Sequence, residues 1–159
     1  MLETEKTVVY GSIGEKIVCN DYSSIGCIVN HSINPYDNEK DITITFPTDG
    51  YKAKIEVKTQ VPYVIRNAVT FPFRQWKKCT SVKFLLYVVV ETNMPCKYVN
   101  KIYNIDTNGF NDKTLNYTIE WVDGEERVII PINQDGVKYI RDLTTSEILE
   151  LKKFKTSLY

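Results

Sequence analysis

Residues 40–60, KDITITFPTDGYKAKIEVKTQ, constrain the fold more than any other stretch, because two runs of alternating polarity flank a short turn signal. Residues 41–46 and 51–59 read as strands, and Asp49-Gly50 is a dipeptide typical of a two-residue hairpin loop. With those two residues as the loop, Thr48 faces Tyr51, Ile44 faces Ile55, Thr43 faces Glu56 and Asp41 lies opposite Lys58. Successive strand residues point to opposite faces. Ile42, Ile44 and Phe46 then share one face with Ala53, Ile55 and Val57, an apolar surface fit for burial. The other face carries Asp41, Thr43, Thr45, Lys54, Glu56, Lys58 and Gln60.

Two carboxylates and an ammonium therefore converge near one end of the hairpin. Directly opposite residues lie about 5 Å apart and diagonal ones about 7–8 Å. Hard divalent cations take carboxylate oxygens, and a neighbouring lysine steadies a water or an anionic reaction centre. Asp49, at the turn, lies roughly 20 Å from Glu56 at about 3.3 Å per residue, so it belongs to turn chemistry.

Glu56-Val57-Lys58, with Asp41 heading the preceding strand, resembles the PD-(D/E)XK nuclease superfamily; Lys40 stands where the name-giving proline would be. The resemblance covers residues 3–91 and implies a role for each matched position. Asp41 and Glu56 would bind Mg²⁺ (or Mn²⁺), Val57 would lend its backbone carbonyl, and Lys58 would activate the attacking water. The family's helix before the core sheet often carries a glutamate that reaches the metal or its water, and Glu15 in Gly14-Glu15-Lys16-Ile17-Val18 looks like it. The fold implied is α/β, a restriction-endonuclease-like αβββαβ core with a mixed central sheet. The activity implied is that of a metal-dependent endonuclease, with DNA favoured over RNA. The alternative is a non-catalytic nuclease-fold module that binds nucleic acid or serves as an assembly component.

The rest of the chain fits that order. Residues 3–22 carry a helical pattern expected to break near Gly11 and Gly14; residues 25–31 read as a first strand bearing Cys27 on a buried side, and 32–40 as a loop. After a connection at 61–73 containing Pro62 and Pro72, residues 73–80 predict a short helix. Its Arg74, Trp76, Lys77 and Lys78 mix cations with an aromatic ring, which suits phosphate contact and base stacking; an amphipathic helix burying Trp76 accounts for the same residues. Gln60, on the face of Glu56, is a candidate substrate contact. Residues 83–90 are continuously apolar and predict a strand covered on both faces, reached by a crossover.

Residues 97–105 predict another strand, with a loop through Asn108-Gly109. A hairpin of 115–122 and 126–132 should turn at Asp123-Gly124, and the Thr144 to Glu147 capping box should open a helix burying Ile148, Leu151 and Phe154. The expectation is one nuclease-like domain over 1–159, with a core at about 3–106 and a C-terminal hairpin and helix extension at about 107–159.

Formal net charge is zero, so any surface for nucleic acid must be a local concentration of cations. Cys19, Cys27, Cys79 and Cys96 show no C-x-x-C pairing, and with His31 they make no zinc pattern; thiols in a reducing cytoplasm are expected. No apolar run of membrane-spanning length occurs in the sequence. A chain this small leaves little room for a separate recognition domain, so sequence readout would call on a homodimer or on the C-terminal third.

Overall fold

Alternation does produce the hairpin in the computed structural model, which describes residues 3–33, 40–63, 66–91 and 93–156. Strands β2 (Lys40–Thr45) and β3 (Lys52–Gln60) pair antiparallel. The register corrects the expected one by two residues: Ile42 faces Ile55, Thr43 faces Lys54 and Ile44 faces Ala53. The cause is a four-residue loop, Pro47 to Gly50, in place of a two-residue one. It is closed by the Phe46 N–H donating to the Tyr51 carbonyl at 2.8 Å and the Gly50 N–H donating to the Phe46 carbonyl at 3.1 Å. Pro47 has no N–H to offer a ladder, and the Asp49 carboxylate accepts from the Tyr51 N–H at 3.0 Å, an Asx-type turn. An even shift leaves every side chain on its face.

A mixed six-stranded sheet forms around this hairpin, in the order β1-β2-β3-β5-β6-β9. Strand β1 (Ile28–Ile33) starts later than expected, leaving Cys27 buried just before it. β5 (Phe84–Val89) runs parallel to β3, as a crossover requires, and is buried on both faces. β6 (Lys101–Ile105) and β9 (Val137–Asp142) complete the sheet; β9 was not anticipated.

Helix α1 (Glu3–Ser24) is continuous, contrary to the expected break. It lays Ile13, Ile17 and Val18 on Ile42, Ile44, Ile55 and Val57, the apolar face of the hairpin. Gly14 does not interrupt this helix but allows it to approach: a Cβ there would lie 1.7 Å from the Thr59 hydroxyl oxygen.

The opposite face is covered by a three-stranded sheet, β4-β8-β7, and by helix α2 (Trp76–Ser81), preceded by a 3-10 turn at Phe73–Gln75. Strand β4 (Ala68–Pro72) lies inside the segment expected to be plain connection. Its flanking prolines read as loop, yet Pro72 ends an edge strand, where a missing N–H does little harm. Strands β7 (Thr118–Val122) and β8 (Glu125–Pro131) form the expected hairpin, with Val122 opposite Glu125 and positive φ at Asp123 (50°) and Gly124 (85°). A short helix α3 (Asn108–Asp112) replaces the loop expected at Asn108-Gly109.

Helix α4 (Thr145–Thr156) opens on the capping box: the Glu147 N–H donates to the Thr144 hydroxyl at 3.2 Å and the Thr144 N–H to Glu147 Oε1 at 2.8 Å. Leu151 is buried and Ile148 partly so; the side chain of Phe154 lies outside the described residues. Arg141 on β9 ties this helix to α1 by forked bonds to Glu147 (2.8 and 2.9 Å) and Asp21 (both 2.9 Å). The guanidinium holds the Glu147 carboxyl below its usual range. That stabilisation is full above pH 4.5 and is lost as pH falls through the lowered folded value. All four cysteines are free thiols. Among the described residues no helix is long and apolar enough to cross a membrane.

The tight approach at Gly14 makes a clear prediction. Gly14→Ala should cost about 1–3 kcal/mol in urea unfolding despite alanine's better helix propensity, since Thr59 is β-branched and stiff. The double variant Gly14→Ala/Thr59→Ala should recover most of that loss; additive costs would show that the two residues do not meet.

Candidate carboxylate and lysine site

Because β3 alternates, the residues left over from the α1 face point the other way. Lys52, Lys54, Glu56, Lys58 and Gln60 project toward the second layer, beside Asp41, Thr43 and Thr45 of β2. Continuing the observed register by one residue sets Asp41 opposite Glu56, with Lys58 on the diagonal, so the expected Asp41–Lys58 and Thr43–Glu56 oppositions are replaced. Asp41, Glu56 and Lys58 remain on one face of adjacent strands.

Glu56 is buried and Asp41 half-buried. The buried carboxylate is paired: Lys78, from α2, places its ammonium 3.0 Å from Glu56 Oε2. The Lys58 ammonium donates to Gln75 Oε1. Helix α2 is anchored by Cys79, which is fully buried, and by the packing of Trp76 on Phe110 and Tyr117. Neither Gln75–Lys58 nor Lys78–Glu56 is a contact between sequence neighbours, and only the crossover from β3 to β5 brings these partners together. Complementary charge was the one sequence signal for the second pair, and nothing marked the first.

Glu15 rides on α1, the helix packed on the opposite, apolar face. Among the described residues no group of three or more His, Cys, Asp and Glu side chains is close enough to hold a metal, so Glu15 does not join Asp41 and Glu56 in one cluster. Two carboxylates remain, hard oxygen donors of the kind that hold Mg²⁺ when water and substrate phosphate complete its shell. The Val57 backbone lies between Glu56 and Lys58, with its side chain buried under α1. His31 faces Ile42 and is exposed, away from Asp41.

Gln60 is engaged within the protein. Its amide donates to the Thr70 carbonyl at 3.0 Å and accepts from the Thr70 N–H at 2.8 Å, docking the edge of β4 onto the end of β3. Tyr87 and Arg127 converge on the same residue, the phenol donating to the Thr70 carbonyl at 3.0 Å and the guanidinium to the Thr70 hydroxyl at 2.9 and 3.1 Å.

Trp76 is likewise committed to packing. Its ring centroid lies 5.2 Å from that of Phe110, 5.6 Å from Tyr117 and 5.8 Å from Phe73. Arg74 and Lys77 are exposed, and the carboxylates of the β7–β8 hairpin pair with arginines: Glu120 with Arg66, and Glu125 with Arg127 and, at 3.9 Å, with Arg74. Lys52 and Lys54 are exposed on the same face of β3 as Glu56, a local pair of cations in a chain that is neutral as a whole.

No protein-family model matches the chain, nor does any curated protein or solved structure.

The Gln60 bonds predict a structural effect. Gln60→Ala should cost about 1–3 kcal/mol and speed exchange of the Thr70 amide, because a part-buried backbone pair loses its partners. Unchanged stability with weakened nucleic-acid binding would instead mark Gln60 as a substrate contact.

Proposed function

We propose that the protein is a metal-dependent phosphodiesterase that cuts DNA as an endonuclease, with RNA the less favoured substrate. The observation that carries this reading is the placing of Asp41, Glu56 and Lys58 on one face of β2 and β3, with Lys52 and Lys54 exposed on the same face of β3. The restriction-endonuclease-like core is supported by element order and strand sense. A helix, three strands, a helix and a strand come in that order once β4, which joins the second sheet, is set aside from between β3 and α2, and β1/β2 and β2/β3 are antiparallel and β3/β5 parallel.

In this reading Asp41 and Glu56, with the Val57 carbonyl, hold Mg²⁺ or Mn²⁺. A bound divalent ion supplies Lewis-acid polarisation of the phosphate and makes water a better nucleophile. Lys58 orients the attacking water and stabilises charge developing on the phosphoryl oxygens, and Gln75 holds that ammonium in place. Lys78 neutralises Glu56 in the metal-free protein, which offsets the cost of a buried charge. Lys52, Lys54, Arg74 and Lys77 contact the phosphate backbone.

The second reading is a nuclease-fold module that binds nucleic acid without cutting it. It is favoured by the internal pairing of Glu56 with Lys78 and of Lys58 with Gln75, which leaves both groups satisfied by the protein itself.

Supercoiled plasmid separates the two. With Mg²⁺ the wild type should nick it, EDTA should stop the reaction, and Lys58→Ala should slow it by about 10²–10³-fold. Binding without nicking would favour the module, and nicking at an equal rate by Lys58→Ala would remove the role given to Lys58.

A further inference from the structure

A cleft of about 400 Å³ lies between strands β6 and β9 and the turn that follows β8. Its size falls within the range of small-molecule sites, roughly 300–1,000 Å³. The base is apolar and rigid: Tyr103, Ile132 and Val137 are buried, and the Tyr103 hydroxyl donates to the Tyr98 carbonyl at 2.9 Å.

Tyr139 lines the cleft yet is 55 % exposed. Its hydroxyl donates to Asp142 Oδ1 at 2.7 Å, and Lys101 reaches the same oxygen at 2.8 Å, so the exposed ring is held in place. Lys97 stands over the Tyr98 ring, 5.3 Å from its centroid. The cleft is thus aromatic on its walls and cationic at its rim. Among the described residues the side chains of Lys97, Asn133 and Asp135 form no hydrogen bond or ion pair, so an ammonium whose one contact is the Tyr98 ring, an amide and a carboxylate line the cleft.

We propose that this cleft binds a single nucleotide, its base stacked on Tyr139, its edge met by Asn133 and Asp135, and its phosphate met by Lys97. Aromatic rings stack on any base, an amide and a carboxylate match base donors and acceptors, and an ammonium matches phosphate. The choice of a nucleotide over other flat ligands rests on the nucleic-acid reading of the Lys58 site. The pairing registers carry one row across the sheet from Lys58 through Tyr87 and Tyr103 to Tyr139. Three strand spacings put the cleft roughly 15 Å from Lys58. The Tyr87 hydroxyl on Thr70 shows that β4 stands over the row between them, so the cleft is a separate station from the carboxylate pair.

The test is equilibrium binding of two probes, a fluorescent oligothymidylate and free nucleoside monophosphates, to wild type, Tyr139→Ala, Tyr139→Phe and Lys97→Ala. Stacking of one base predicts that Tyr139→Ala weakens binding at least fivefold, that Tyr139→Phe retains it and that Lys97→Ala weakens it. Oligonucleotide binding alone identifies the ligand as a strand segment, and binding of monophosphates as well identifies a free nucleotide site; either supports the cleft. Wild type that binds neither probe, or Tyr139→Ala that binds as tightly as wild type, overturns it. Loss of binding in Tyr139→Phe equal to that in Tyr139→Ala would also overturn it, by tracing the effect to the Asp142 bond. A wild type that binds through Tyr139 but cuts no plasmid keeps the cleft and removes the hydrolytic reading; one that cuts plasmid while Tyr139→Ala binds normally does the reverse.

Discussion

Strand β3 supplies the constraint on which the rest depends: its side chains must alternate, so burying one set under α1 commits the other to the second layer. Ala53, Ile55 and Val57 are driven to the α1 side by the hydrophobic effect, and Gly14 lets the helix come close enough to seal them. Glu56, Lys58 and Gln60 then have no other place to go than beneath β4 and α2. The charges are therefore held by packing on the far side of the sheet, with each kept tolerable by a partner. Glu56 has Lys78, Lys58 has Gln75, and Gln60 has the Thr70 backbone.

That pairing explains how a buried carboxylate survives. An isolated buried charge would be costly, and a lysine reaching in from α2 offsets the cost. It also sets the terms for the proposed chemistry, since Glu56 would have to exchange the Lys78 ammonium for a metal ion to act as a ligand. The same helix contributes Gln75 through its preceding turn, so α2 controls both charged groups of β3. Its own position is fixed by Cys79 and the aromatic cluster around Trp76, which links the core to the site.

Local patterns were legible in the sequence and long-range partners were not. The faces of the β2–β3 hairpin followed from alternation, the Asp123-Gly124 turn from its dipeptide, and the α4 cap from Thr144 and Glu147. The β2–β3 register was misread because Asp49-Gly50 outweighed Pro47, whose missing N–H moves the ladder's end to Phe46 and Tyr51. β4 was hidden by Pro72 at its end and by Pro62 earlier in the same connection. At the site, the common face of Asp41, Glu56 and Lys58 was visible as a period of two. The internal partners of Gln60 and Trp76, the Thr70 backbone and the ring cluster around Phe110, come from distant parts of the chain, and only the tertiary arrangement could reveal them.

The most direct test of the central claim is anomalous scattering from a crystal of the protein soaked in Mn²⁺. A single peak bridging the Asp41 and Glu56 carboxylates, with Lys78 swung off Glu56, is the expected result. A map with no peak there, and the Lys78–Glu56 pair intact at saturating Mn²⁺, would contradict it.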